Sequence, residues 1–553
     1  MKKIDYFIGI VALFAFLLLM AELSSLLRAY AEILHMANLA ILLLFIADVV
    51  LRFFLSQDKK KHLRGNWFDL IVFVPLIRFM GGIEQTPFFV IVWQVVIILM
   101  LVSRVRRANK LVTLLSLKPA QLMVTSFSFA IGMGAILLML PAASASGDRT
   151  SLVDALFTAT SATCVTGLVV KGTASHFSFF GQAVILSLIQ IGGLGIMTFS
   201  VSLALLLRKR LEMQRQIVMR DVLDQDTLLS VRGLTVFIVK MTVAFELIGA
   251  ALLFILWKDN FTSKPLTAYY ALFHSVSAFC NAGFSTFNDS LMRFSGDIGT
   301  NITIMALIIS GGLGFTVIKD LIDRIRRKKA ARFRVQTKIV LAASFLFIVA
   351  GALGFYLLEA HHSLVGLGMK DRILVSLFQS VASRTAGFNT CDISALSSAT
   401  LFMVIVLMFI GGSPGSTAGG IKTTTVAVLW AAIVSGFKQK EHCELHRRTI
   451  PFVVVRKAIS LVLISLVIVA SFFLLLLYIE QEKFSALMFE AVSAFGTVGL
   501  STGVTALLSG KGKIVLTLLM FIGRLGPLTI TYAFMQPRKP ARYMYAEERV
   551  MIG

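Results

Sequence analysis

The chain has 553 residues, 57% of them hydrophobic and 15% charged, and a mean hydropathy of +0.85. This excludes an ordinary soluble domain and puts the chain among polytopic membrane proteins. The net charge of +24 comes from short basic runs between apolar stretches, the pattern of cytoplasmic loops rather than of a nucleic-acid-binding face; four cysteines without CxxC spacing argue against a disulfide framework or a thiolate metal site.

Met1-Lys2-Lys3 opens an apolar run to about Met20 with no small-residue cleavage site after it, which predicts a first membrane helix and not a removed signal. Four spans are expected near 5–27, 33–55, 67–80 and 87–103. A pattern then recurs four times. A long apolar helix (about 121–141, 234–257, 338–358 and 457–479) precedes a stretch too short to span (about 151–162, 267–279, 371–383 and 483–495). A glycine turn follows, and then a second long helix (about 177–207, 298–318, 400–433 and 512–535). We divide the chain into a membrane domain at 1–117 and four repeats at 118–220, 221–332, 333–450 and 451–553. The fold expected is all-α and polytopic: twelve full spans and four half-helices, the four repeats arranged pseudo-fourfold around one pore. Segments 104–118, 208–220, 319–338, 438–457 and 538–549 hold 29 Lys and Arg, whereas the alternate segments 142–175, 258–297, 359–375 and 480–513 hold 10. The basic set is therefore placed in the cytoplasm with both termini, and the glycine turns enter from outside.

Each turn carries one phrase, [Ser/Val]-Ala-x-x-x-x-Gly-[Leu/Phe], with glycines at 167, 283, 387 and 499. A Phe stands ten residues before the glycine in three copies (Phe157, Phe273, Phe489) and nine before it in the third (Phe378). Irregular backbone at membrane depth is tolerated only inside protein or along a watery cavity. Four such turns about one axis give a ring of carbonyls that can replace the hydration shell of a monovalent cation. The ring residues are Val165, Thr166 and Gly167; Asn281, Ala282 and Gly283; Thr385, Ala386 and Gly387; and Thr497, Val498 and Gly499, none of them acidic. Glycines that serve only close helix packing are the plainer alternative.

A second phrase lies 24 to 28 residues further on: Gly192-Gly193-Leu194-Gly195, Gly311-Gly312-Leu313-Gly314, Gly411-Gly412-Ser413-Pro414 and Gly523-Arg524-Leu525-Gly526. In the first two copies close packing is the simple reading. In the third, Gly412-Ser413-Pro414-Gly415-Ser416-Thr417-Ala418-Gly419-Gly420 predicts a broken helix and a movable obstruction below the ring, the only interrupted helix of the four. A static break is the alternative. Arg524 stands where the other copies have glycine, at the height of that segment; it reads as a barrier to cations facing the cavity, or as half of an ion pair. Asp154 and Glu490 either draw cations to the mouth or cap their half-helices. His274 is expected to bond locally, Arg384 to turn away from the axis, and Glu246 to have a hydroxyl or basic partner.

The four glycine phrases resemble the filter segments of the Ktr/Trk/HKT potassium transporters, in the manner of the KtrB-type membrane subunit, over about residues 118–540. The resemblance implies a potassium-conducting path, with sodium as alternative or coupled ion and no organic cofactor. It also implies a homodimer in the cell (inner) membrane and a cytoplasmic ring of nucleotide-binding RCK subunits (KtrA or TrkA type). Its intramembrane loop matches 411–424 and its gate arginine matches Arg524; glycine at Gly167 goes with potassium, serine there with sodium. Residues 46–53 and 66–70 look like pieces of a voltage-sensor module. Arg104, Arg106, Arg107 and Lys110 cluster at one end of the fourth span, so that domain is expected to be vestigial or regulatory. A membrane-embedded enzyme is disfavoured because the eight histidines are scattered, and no phosphate-binding loop supports ATP-driven pumping.

Overall fold

The computed structural model describes residues 119–206, 228–261, 263–327, 333–445 and 448–534, together with Val49. The four expected N-terminal spans and the voltage-sensor-like segments otherwise lie outside the described residues. Four long helices, α1 (Pro119–Leu138), α4 (Leu228–Trp257), α8 (Val335–Glu359) and α12 (Phe452–Ile479), each precede a short one. The short helices are α2 (Leu152–Thr163), α5 (Lys264–Cys280), α9 (Met369–Ala382) and α13 (Phe484–Gly496), of 12, 17, 14 and 13 residues. At 1.5 Å per residue they reach about 18–26 Å and fall short of a bilayer core of about 30 Å. Among the described residues, Val236–Trp257, Val335–Glu359 and Phe452–Ile479 are each long and apolar enough to cross a membrane.

Burial explains why the short helices sit inside the bundle and the long ones outside. On α12, Leu463, Val467 and Leu474 are exposed, while Val455, Ala458, Ser465 and Leu476 face inward. An apolar surface turned outward over so long a helix is what a lipid environment demands. The short helices are instead enclosed. The phenylalanines of the repeated phrase, Phe157, Phe273, Phe378 and Phe489, are all fully buried, as are Leu168, Phe284 and Phe388 one residue after the glycines. These side chains anchor each short helix at one end and its turn at the other.

The second helices differ from expectation. None of the four is continuous. α3 (Phe179–Leu206) is kinked at Gly195, with φ 71° and ψ 150°. The second unit has α6 (Ile298–Leu313) and α7 (Phe315–Arg327), separated at Gly314, with a bend of 102° between Ile298–Leu313 and Phe315–Ile325. The third has α10 (Ser398–Phe409) and α11 (Thr423–Phe437) with an irregular segment between them. The fourth has α14 (Gly510–Leu525) and α15 (Pro527–Phe534), parted at Gly526. Gly314 (φ 91°, ψ 140°) and Gly526 (φ 83°, ψ 140°) hold nearly the conformation of Gly195, one that is essentially reserved for glycine. The last glycine of the second phrase is thus a helix breaker, which corrects the expectation of a single interruption. Hydroxyl caps begin four of the helices: Ser151, Ser178, Ser397 and Ser509 accept backbone N–H bonds at the starts of α2, α3, α10 and α14. A small hairpin, β1 (Cys443–Leu445) paired antiparallel with β2 (Arg448–Ile450), joins α11 to α12 in an otherwise helical fold.

Candidate functional site

Each short helix stops in the same way, and the stop is written in its last residues. The residue two before each glycine adopts a left-handed conformation: Val165 (φ 55°), Asn281 (φ 60°), Thr385 (φ 72°) and Thr497 (φ 51°). The glycines follow with φ of 95°, 69°, 76° and 92°. In three copies the helix closes with a paired Schellman motif. Val165 N–H donates to Ala162 O (3.1 Å) and Thr166 N–H to Ser161 O (2.8 Å); the same pairs recur at Asn281 and Ala282 and at Thr497 and Val498. In the third copy Ala386 N–H bonds Ala382 O instead, so that turn is wound differently. The shorter Phe378-to-Gly387 spacing marks the same departure in the sequence.

The first letter of the phrase is a staple that the sequence reading missed. Ser161 Oγ donates to Leu168 O at 2.8 Å and accepts from Gly167 N–H at 3.1 Å. Ser493 does the same with Leu500 O (2.7 Å) and Gly499 N–H (3.1 Å), and Ser277 donates to Phe284 O at 2.8 Å. One hydroxyl thus ties the last helical turn to the backbone on the far side of the glycine. The third copy has Val381 there and no such bond can form. A serine six residues before the glycine in three of four copies was the available signal.

The four turns meet. A Cβ at Gly167 would strike Ala282 O and Gly283; one at Gly283 would strike Gly387; one at Gly387 would meet Val498 O and Gly499; and one at Gly499 would strike Thr166 O and Gly167. The order closes on itself, so every glycine is needed for the next turn to approach. All four glycines line a cavity of about 360 Å³, with Asn288, Asn389 and Thr502 among its polar walls. The side chains of Val165, Thr166, Asn281, Ala282, Thr385, Ala386, Thr497 and Val498 are buried in the surrounding protein. Beside the cavity, Asp289 and Arg293 pair at 2.6 Å, and those charge-assisted bonds hold the Asp289 carboxyl below the ordinary range. Arg293 also lies 4.7 Å over the ring of Phe287, which lines the cavity.

On the other side of the circuit lies the irregular segment between α10 and α11. Ile410 and Ile421 bridge its two ends, with Gly411 N–H donating to Ile421 O at 2.9 Å. Its middle is fastened to the second unit: Ser413 N–H bonds Gly312 O (3.0 Å), Thr417 N–H bonds Gly311 O (3.2 Å), and Phe315 N–H bonds Gly415 O (3.0 Å). Arg524 reaches it from α14. Its guanidinium donates to Thr417 O and Gly192 O, clamping the segment to the first unit's broken helix, and no carboxylate partner is present among the described residues. Lys422 folds back on the same segment and donates to Ala418 O at 2.6 Å. Gly412 through Gly420 and Arg524 therefore form one connected layer directly below the turns, with Gly419 packed on Thr497.

The first glycines of the second phrase do serve close packing. A Cβ at Gly192, Gly311 or Gly523 would fall on Thr163 O, Phe279 O or Phe495 O, the carbonyl four residues before each turn glycine.

The other polar residues singled out in the sequence have the following partners. Asp154 pairs with Lys513 at 2.7 Å, joining the first unit to the fourth. Glu490 is fully buried and accepts from Ser501 Oγ (2.7 Å), Thr502 N–H (2.9 Å) and Thr505 Oγ (2.5 Å), which makes it a brace for the loop after Gly499. Arg384 turns back to Ser344 O (3.3 Å) and the ring of Phe347. His274 bonds Tyr270 O (2.8 Å) and Ser285 Oγ (2.9 Å). The partner of Glu246 is the amide of Gln190 at 3.2 Å, with the Cys280 thiol at 3.8 Å, and not the hydroxyl or basic residue expected. Among the described residues no group of His, Cys, Asp and Glu could hold a metal ion.

Comparison with known proteins identifies the family. A family model described as TrkH, cation transport protein, matches residues 86–541. The chain is similar to the Ktr system potassium uptake protein B of Vibrio alginolyticus, 40% identical over 78% of this chain and 94% of that one. It is 38% identical to the protein of the same name from Bacillus subtilis (80% and 99% covered). With the potassium/sodium uptake protein NtpJ of Enterococcus hirae the identity is 37% (79% and 98% covered). In fold it matches the crystal structure of the potassium transporter TrkH from Vibrio parahaemolyticus, with a TM-score of 0.61 at 16% identity, covering 96% of this chain and 98% of that one.

Proposed function

The chain belongs to the TrkH/KtrB family of cation transporters, and from that premise we propose that it carries potassium across the cell membrane through the circuit of the four glycine turns. The observation that carries this reading is the closed order of Gly167, Gly283, Gly387 and Gly499, each two residues after a left-handed residue and all lining one cavity. With the neighbouring side chains buried, what such turns can offer an ion is backbone carbonyl oxygen. Rings of carbonyls suit a dehydrated monovalent cation, and no acidic side chain is present at the turns to favour a divalent one. In this reading the units 118–220, 221–332, 333–450 and 451–553 are four quarters about one axis.

The gate is the layer formed by residues 412–420 and Arg524. A buried guanidinium on a cation path raises an electrostatic barrier, and its bonds to Thr417 O and Gly192 O hold the irregular segment across the way. Opening requires those bonds to break together. No nucleotide-binding phrase occurs in the chain, so control falls to a cytoplasmic nucleotide-binding RCK ring docked on the basic loops of a homodimer, with both termini on that side. In this reading the segment before residue 118 is vestigial or regulatory. The relative named for potassium and sodium uptake supports a second reading, in which sodium shares or drives the path.

The test is selectivity. Gly167→Ser puts a side chain against Ala282 O, where φ is already 95°. Potassium and sodium flux into liposomes should show the wild-type preference for potassium falling about tenfold or more, the effect of a change of about 1.4 kcal/mol at one site. An unchanged ratio would remove the turns from the ion path.

A further inference from the structure

A second cavity, of about 490 Å³, opens between α8, α11 and α12 at the ends of those helices near the β hairpin. Its inner wall includes Pro414 and Gly415, the tip of the segment assigned above to the gate. Val335 and Ile339 from α8, Val428 from α11, and Ala458 and Leu461 from α12 make it largely apolar. Among the described residues lining it, Lys457 is the one charged residue and none is a carboxylate. Two carboxylates on adjoining elements are engaged elsewhere: Asp320 accepts from Thr337 Oγ at 2.8 Å, and Glu444 pairs with Lys440 at 2.5 Å. Arg334, Lys338 and Arg456 stand within a helical turn of its lining residues on α8 and α12, so the surroundings are strongly basic. The first turn of α12 carries Phe452 and Val453, both exposed, beside Val454, which lines the cavity and is also exposed.

We propose that this cavity takes an acyl chain of an anionic phospholipid from the cytoplasmic leaflet, with the phosphate at Lys457 and the chain directed toward Pro414 and Gly415. The volume lies within the range of small-molecule sites, about 300–1,000 Å³. A lysine whose stem follows an apolar wall while its ammonium stays at the interface is suited to a lipid phosphate. Basic pockets between membrane helices on the cytoplasmic side select anionic headgroups. A soluble nucleotide is a poor match, because one cation and a few threonines leave most of its polar surface unanswered. The exposed apolar face of α12 gives the chain a route in from the bilayer.

The consequence rests on the gate reading. Gly415 O accepts the bond from Phe315 N–H that fastens the segment's tip next to the break at Gly314. An acyl chain packed behind Pro414 and Gly415 supports that arrangement, so anionic lipid should slow potassium flux.

The deciding experiment reads lipid retention by native mass spectrometry of the full chain titrated with phosphatidylglycerol or phosphatidylcholine. Lys457→Ala should weaken phosphatidylglycerol retention roughly fivefold, the effect of one basic residue at an anionic surface. Ala458→Trp should block the site sterically, while Lys511→Ala, an equal loss of charge at the opposite end of the chain's topology, should leave retention intact. Equal losses in the two lysine variants, or equal retention of the two lipids, would overturn the proposal. So would an Ala458→Trp variant that changes oligomeric state but keeps its lipid, since the cavity would then belong to a second copy of the chain. Retention is read without flux, so a failure of the gate assignment would show separately.

Discussion

At the scale of single residues, the turns combine a strained backbone with the means to hold it. Val165, Thr385 and Thr497 are β-branched and left-handed, a combination that costs about 1–3 kcal/mol at each position. Buried Ser161 and Ser493 oppose that cost by bonding both sides of their glycines. Ser161→Ala and Ser493→Ala should therefore each lower stability by about 1–3 kcal/mol, the cost of leaving buried backbone groups unpaired. They should also weaken the preference for potassium, whereas Ser187→Ala, whose exposed hydroxyl bonds only its own helix, should do neither. Thermal unfolding in detergent and ion-ratio flux would check both, and equal behaviour of the three variants would contradict the stapling role. Much of this was legible beforehand. The glycines, the short residues before them and the phenylalanines all appear in the repeated phrase. The serine was in view as its first letter, but its task depends on a chain reversal that spacing alone does not reveal. The partners of Asp154, Glu490 and Glu246 were hidden for a related reason: Lys513 lies 359 residues from Asp154, and only the packing of the units brings the two together.

At the scale of elements, the half-helices were readable because length and burial act together: a helix of 12–17 residues cannot span, and an enclosed one must end against protein. The breaks in the second helices were not readable. Gly-Gly-Leu-Gly is equally a packing motif, and its first glycine does pack against a carbonyl while its last breaks the helix. Only the third unit carried so much Gly, Ser and Pro that interruption was unavoidable. The breaks can be separated by experiment. Gly526 has open space around a Cβ, whereas a Cβ at Gly314 would come within 2.6 Å of Pro414 O. Gly526→Ala should cost only backbone strain, about 1–3 kcal/mol in thermal stability. Gly314→Ala should carry that cost and also displace the irregular segment, so its potassium flux should change by severalfold while that of Gly526→Ala stays close to wild type. Matching flux in the two variants would mean that the contact with Pro414 has no part in transport.

At the scale of the whole molecule, the first and fourth units meet, as a ring requires. Gly499 abuts Gly167, Lys513 pairs with Asp154, and Gln121 at the start of α1 donates to Ala533 O in α15 at 3.1 Å. What the units share, the left-handed residue and its glycine, is assigned to ion recognition. What differs between them is assigned to control: an irregular segment in the third, and an arginine in the fourth where the others have glycine. Composition made the membrane class legible, but the clamp of Arg524 onto Thr417 and Gly192 required the fold. That clamp is where the central claim is most exposed, and potassium flux into liposomes containing wild type or Arg524→Ala tests it most directly. Losing both bonds and the buried charge should raise flux by about tenfold or more, the equivalent of roughly 1.4 kcal/mol removed from a barrier. Unchanged flux from a folded Arg524→Ala protein would contradict the account.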